Sequence, residues 1–136
     1  MITVMLADDH KLVREALQYL LEASGDIYIT ATAANGQEAV EKTAQHCPDV
    51  AILDVSMPVM DGIEASRYIH QACPHTQVVM LSMYNTPEYV ARALRTGAQG
   101  YVLKDAAGNE LVEAVHTVSK GGNYFSPTIR EFVDDL

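Results

Sequence analysis

The stretch Val50-Ala51-Ile52-Leu53-Asp54-Val55-Ser56-Met57-Pro58-Val59-Met60-Asp61-Gly62 decides how the rest of the chain is read. Four apolar residues run without alternation, as in a parallel strand covered on both faces. The run then stops on a carboxylate, and the turn formers Met57-Pro58 and Asp61-Gly62 follow it. Asp54 is either a solvated strand end or a reactive group delivered to a cleft. One strand does not separate the two readings.

Working outward, similar runs occur at Ile2–Leu6, Ile27–Ala31, Val78–Leu81 and Gly100–Leu103. Helical periodicity fills the gaps: Val13, Ala16, Leu17 and Leu20; Val40, Thr43, Ala44 and Cys47; Ala65 and Ile69; Val90, Ala93 and Leu94; Leu111, Ala114, Val115 and Val118. The ends are punctuated. Asn35 with Glu38, and Asp61 with Glu64, fit capping boxes. Thr86-Pro87 reads as an N-cap followed by a first-turn proline, and Gly25 and Gly97 suit left-handed helix stops. Repeated β-α alternation predicts an α/β fold, a doubly wound parallel sheet of five strands with helices on both faces. After Val118 the core-facing periodicity is lost through Ser119–Leu136, which reads as the start of a linker.

At 136 residues the chain has room for one core. Its net charge of −9 excludes a phosphate-reading nucleic-acid face within these residues. No apolar run approaches the ~20 residues of a membrane span. The first residues lack the basic flank and cleavage site of a signal peptide, so the expected location is cytoplasmic. Cys47 and Cys73 lie far apart, outside any C-x-x-C motif and each just before a proline. Both read as small buried apolar residues rather than as reactive thiols. The five histidines show no metal spacing and read as surface residues, with His10 the one placed to line a cleft. Arg92 and Arg95 read as the polar face of the fourth helix.

In a doubly wound sheet, ligands bind at the carboxyl ends of the strands near the point where strand order reverses. Here the first strand runs into Asp8-Asp9, the third into Asp54, the fourth into Ser82 and the fifth into Lys104. An order of 2-1-3-4-5 would bring Asp8, Asp9 and Asp54 together. Two like charges ~4 Å apart cost about 4 kcal/mol at an effective dielectric near 20, so the set needs raised pKa values or a cation. Few protein oxygens and several waters suit Mg²⁺. Asp54 is then the candidate nucleophile toward a phosphoryl group, with Lys104 and the Ser82 hydroxyl stabilising the phosphoryl oxygens.

Together these residues resemble the response-regulator receiver domain of two-component signalling, from Ile2 to about Lys120. Ala7-Asp8-Asp9-His10 and Lys120–Pro127 (KGGNYFSP) are similar to the NarL/FixJ subgroup, whose receiver precedes a LuxR-type helix-turn-helix. The resemblance implies the flavodoxin-like strand order 2-1-3-4-5 and a receiver over residues 1–120. Residues 121–136 would begin the linker to a DNA-binding domain outside this sequence. It implies phosphorylation of Asp54 by a sensor histidine kinase, and Mg²⁺ held by Asp9 directly, Asp8 through water, Asp54 and the Ser56 carbonyl. Ser82 and Tyr101 match the family's switch hydroxyl and switch aromatic, and Lys104 its lysine. Phosphorylation would draw Ser82 toward the phosphoryl oxygens, move Tyr101 inward and promote homodimerisation, and so regulate transcription. Such a chain is a signalling phosphoacceptor, not an enzyme, with no membrane association. One departure stands out: many members have proline after the lysine, where this chain has Asp105, and a cis bond there costs ~3 kcal/mol without proline.

Two rivals fit less well. A Mg²⁺-dependent phosphatase working through an aspartyl phosphate wants a carboxylate two residues after the nucleophile, where this chain has Ser56. A flavin- or nucleotide-binding α/β protein wants a glycine-rich phosphate loop after the first strand, where this chain has two aspartates.

Overall fold

In the computed structural model, which describes residues 1–135, the continuous apolar runs form parallel strands and the periodic segments form the helices between them. The order is β1 (Ile2–Ala7), α1 (Lys11–Ala23), β2 (Ile27–Ala33), α2 (Gly36–His46), β3 (Val50–Asp54), α3 (Gly62–Ala72), β4 (Gln77–Ser82), α4 (Pro87–Arg95), β5 (Gly100–Leu103), α5 (Ala107–Ser119), β6 (Tyr124–Phe125) and α6 (Arg130–Asp134). The strands lie in the order β2-β1-β3-β4-β5-β6, and every neighbouring pair is parallel. The expected five-strand order holds, with a short sixth strand added beyond β5.

Strand residues alternate between two cores, because successive side chains point to opposite faces. Met5, Ala51, Leu53, Val78 and Met80 face α2, α3 and α4 through Ala39, Ile63, Ile69 and Val90. Val4, Leu6, Ile52, Val79 and Leu81 face α1 and α5 through Leu17, Leu21, Leu111 and Val115. All five residues of β3 are buried, as its unbroken apolar run requires. No helix among the described residues is long and apolar enough to cross a membrane.

The helix starts are built largely as read. Asn35 Oδ1 accepts from the Glu38 N–H at 2.9 Å, while the Glu38 carboxylate accepts from the Asn35 side-chain amide at 3.2 Å and from Ala34 N–H at 3.4 Å, not from the backbone N–H of the cap residue. Asp61 Oδ1 accepts from Glu64 N–H at 2.8 Å. Pro87 opens α4, but the Thr86 side chain makes no cap bond. Two glycines are required by close approach: a Cβ at Gly36 would lie 2.1 Å from the Met60 carbonyl oxygen, and one at Gly62 would lie 2.1 Å from that of Asp54. The β3–α3 loop is thus seated directly on the first turns of α2 and α3. Within it Val59 sits at φ 71°, a left-handed conformation that a β-branched residue rarely adopts.

One expectation changes. Cys47 and Cys73 are not a pair of inert apolar residues but are joined in a disulfide between the C-caps of α2 and α3, with Cα atoms 5.4 Å apart. The sequence separation of 26 residues hid the pairing, which the side-by-side packing of α2 and α3 creates. The segment after α5 also folds back onto the domain as far as Asp134. The Ser126 hydroxyl accepts from Leu103 N–H at 2.9 Å and donates to the Glu110 carboxylate at 2.7 Å. Ile129 is fully buried, and Phe132 and Val133 pack beside α4.

Candidate functional site

Strand register assembles the site. Ala7 of β1 pairs with Leu53 of β3, so the next residues, Asp8 and Asp54, leave the sheet side by side. Asp54 pairs with Leu81 and Ser82 with Leu103, which brings Ser82 and then Lys104 to the same edge. Ligand atoms of Asp8, Asp9, His10 and Asp54 all lie within 4.8 Å of one another. Asp8 is fully buried and Asp54 is 3% exposed, whereas Asp9 and His10 open to solvent.

The lysine reaches this cluster without a proline after it. All peptide bonds of the described residues are trans, and Lys104 starts a 3₁₀ turn to Ala106. Its Nζ donates to Asp54 Oδ2 at 2.7 Å and lies 3.3 Å from Asp8 Oδ2. The other Asp54 oxygen accepts from Ser56 N–H at 3.1 Å. Asp8 Oδ1 accepts from His10 N–H at 2.9 Å, and the Arg14 guanidinium donates to the Asp8 carbonyl at 2.7 Å. Asp8 Oδ2 is buried with no hydrogen-bond partner.

Burial pushes the Asp54 carboxyl above its ordinary range, and Lys104 only partly counters it. Burial also draws the Lys104 ammonium down, but the facing Asp54 and Asp8 carboxylates more than offset this and leave it above its usual value. Three carboxylates against one lysine leave the cluster short of positive charge. An oxygen-rich set whose buried Asp8 Oδ2 makes no hydrogen bond and has the shared Lys104 ammonium 3.3 Å away fits a hard divalent cation such as Mg²⁺, which takes few protein oxygens and keeps waters.

On the other side of the acceptor, Tyr101 is fully buried and its hydroxyl is 2.6 Å from the Tyr84 carbonyl and 2.9 Å from Ser82 Oγ. The phenol has one proton and a carbonyl can only accept. The Tyr101 proton therefore serves Tyr84, and the Ser82 proton completes the second contact. Ser82 Oγ also accepts from Tyr84 N–H at 2.9 Å. The ring lies inside already, in the space that the expected inward movement would have it enter.

Sequence reading missed several contributors. The Tyr84 and Tyr89 rings stack with centroids 4.0 Å apart, and the Arg92 guanidinium lies 5.5 Å over Tyr89. Tyr89 and Arg92 line a cleft of about 470 Å³ shared with Asp9, Ser56, Pro58 and Asp61. The spacing Tyr89-x-x-Arg92, one turn of α4, was the available signal. Arg14 was hidden, because its contact is to a backbone oxygen six residues earlier.

Comparison with known proteins covers the same stretch of chain. The family model described as the response regulator receiver domain matches residues 4–116. The oxygen regulatory protein NreC of Staphylococcus carnosus is 40% identical over 97% of this chain and 64% of its own length. The transcriptional regulatory protein LnrK of Bacillus subtilis is 40% identical over 95% of this chain and 59% of its own length. The chain thus spans about three-fifths of these relatives. Among solved structures, a LuxR-family two-component response regulator from Aurantimonas sp. superposes with a TM-score of 0.93 at 31% identity, covering 99% of this chain and 96% of that one. The response regulator RcsB in complex with DNA superposes with a TM-score of 0.88 at 25% identity, covering 99% of this chain and 68% of that one. A doubly wound sheet that gathers Asp8, Asp9, Asp54, Ser82 and Lys104 at one edge, matched across residues 4–116, makes the chain a member of the response-regulator receiver domain family, with LuxR-family regulators as its relatives.

Proposed function

We propose that Asp54 accepts a phosphoryl group from a phosphohistidine of a sensor histidine kinase, and that the phosphorylated domain self-associates. The observation that carries this is the Asp54 carboxylate lying among Asp8, Asp9 and His10, with the Lys104 ammonium 2.7 Å away. A carboxylate oxygen of Asp54 attacks phosphorus as the bond to the donor nitrogen breaks. Lys104 is placed to follow the new negative charge, and the Ser82 hydroxyl can redirect its hydrogen bond from Tyr101 to a phosphoryl oxygen. Asp8, Asp9, Asp54 and the Ser56 carbonyl would hold Mg²⁺. When bound, it neutralises phosphoryl oxygens that the three carboxylates would otherwise repel.

In this reading, residues 1–120 are the receiver and residues 121–136 lead toward a DNA-binding domain that acts once two copies associate. The placement of LuxR-family regulators and an RcsB–DNA complex among its relatives supports this reading, as does the acidic charge of the chain itself. The domain is a cytoplasmic phosphoacceptor with at most slow self-catalysed phosphorylation and dephosphorylation, rather than an enzyme with its own substrate. Intact-mass analysis after incubation with acetyl phosphate tests it: one phosphoryl group on wild type with Mg²⁺, and none with EDTA or on Asp54→Asn. Labelling that persists in Asp54→Asn would remove the assignment.

A further inference from the structure

Far from the acceptor cleft, the fold brings together the chain's two cysteines. We propose that Cys47 and Cys73 form a reversible redox site, entered at Cys47, which exchanges with low-molecular-weight thiols and disulfides and clasps α2 to α3 when oxidised.

Three observations lead there. Backbone placement comes first: the Cα atoms are 5.4 Å apart, within the span that a disulfide bridges without backbone movement. The packing of α2 on α3 sets this distance, so it survives reduction. A carbonyl of the opposite helix stands by each sulfur, with Ala72 O 3.9 Å from Cys47 Sγ and Thr43 O 3.5 Å from Cys73 Sγ. Either would accept a hydrogen bond from the thiol S–H of the reduced form. Accessibility is the second observation. Cys47 is exposed while Cys73 is 2% exposed, and both line a small opening of about 140 Å³ with Pro48, Pro74 and His75. The third is that two apolar cores already cover both faces of the sheet, so the bond is not needed as a staple.

The exchange balances as follows. In the dithiol form the Cys47 thiolate attacks one sulfur of a small disulfide, and the S–S bond breaks. One small thiol leaves with the proton given up by Cys47. The Cys73 thiolate then attacks the Cys47 sulfur of the mixed disulfide and expels the second small thiol, which takes the Cys73 proton. The small disulfide is reduced to two thiols and the protein gains one disulfide; the reverse sequence reduces it. The clasp lies at the far ends of the two helices whose first turns seat the acceptor loop, so it acts on helix mobility and leaves Asp54 chemically untouched.

The folded chain, reduced with dithiothreitol and transferred to oxidised glutathione, tests the proposal by intact mass. Wild type should lose two hydrogens and carry no adduct. Cys73→Ser should retain one glutathione, and Cys47→Ser should label at least about tenfold more slowly because its thiol is buried. Cys73→Ala, which buries no hydroxyl, replaces Cys73→Ser if that variant unfolds. Equal labelling of the two single variants, a wild type that stops at the mixed disulfide, or a bond that dithiothreitol opens only in urea would each overturn it.

Discussion

Asp54 is costly to the fold that presents it. Burial lifts its carboxyl above the ordinary value of 3.8, so the folded state holds that proton more tightly than the unfolded chain does. The stability this lends is present below the unfolded value and is lost as pH rises through the higher folded value. At neutral pH the ionised group is a net burden, to which the neighbouring Asp8 charge adds. Asp54→Asn should therefore melt above wild type at pH 7 without divalent cations, and the gap should close toward pH 4. Lys104 keeps Asp8 as a partner in that variant, 3.3 Å away. Thermal melts at the two pH values check the sign. A second burden sits at Val59, 81% exposed and held at φ 71°. Asparagine tolerates the left-handed region far better, so Val59→Asn should raise the unfolding free energy by about 1 kcal/mol, measured by urea titration.

The elements around Asp54 leave little slack. A methyl at Gly62 would collide with the carbonyl of Asp54 itself, and neither backbone can retreat without disturbing β3 or α3. Gly62→Ala should cost about 2 kcal/mol or more in a urea titration and slow acetyl-phosphate labelling as well. How much of this was readable follows the range of the forces involved. Apolar runs announced β1, β3, β4 and β5 because helices cover both faces of these inner strands, and β2, at the edge with Tyr28 exposed, by its β-branched and aromatic residues; Asn35 and Asp61 announced their helices because a cap acts within three residues. Strand β6 gave no such signal. Its two residues are held by Ser126, whose partners Leu103 and Glu110 belong to other elements and become neighbours only once α5 has packed. Cys47 and Cys73 escaped for the same reason, whereas Arg14 escaped because it reaches a backbone oxygen, which residue type does not mark. The acceptor cluster was legible because each member ends a strand or lies within two residues of its end. The Tyr84–Tyr89–Arg92 stack was not, because it depends on how the loop before α4 turns.

At the scale of the molecule, the disulfide closes a span of 26 residues that would otherwise be free in the unfolded chain. Loop-closure entropy puts its worth at about 3.5 kcal/mol. Urea titrations with and without reductant should differ by roughly that amount, with the acceptor site intact in both. The segment beyond α5 has a different consequence, a mechanical one. Strand β6 is the outermost in the sheet and runs parallel to β5, and α6 lies on α4 rather than inside a core. Tension on the C-terminal end therefore meets α6 first and then Ile129. The Ser126 bonds come next, and only after them the backbone of Tyr101, whose carbonyl accepts from Ser126 N–H at 3.0 Å. The domain should yield in two steps under an optical trap. A small early extension, at most the roughly 35–40 Å straightened length of Tyr124 to Asp134 at about 3.4 Å per residue and shorter by the distance the folded segment already spans, should precede rupture of the sheet. The final link in that series is the main chain of the switch tyrosine, so a pull at the C-terminal end loads Tyr101 before it loads any other residue of the acceptor cleft.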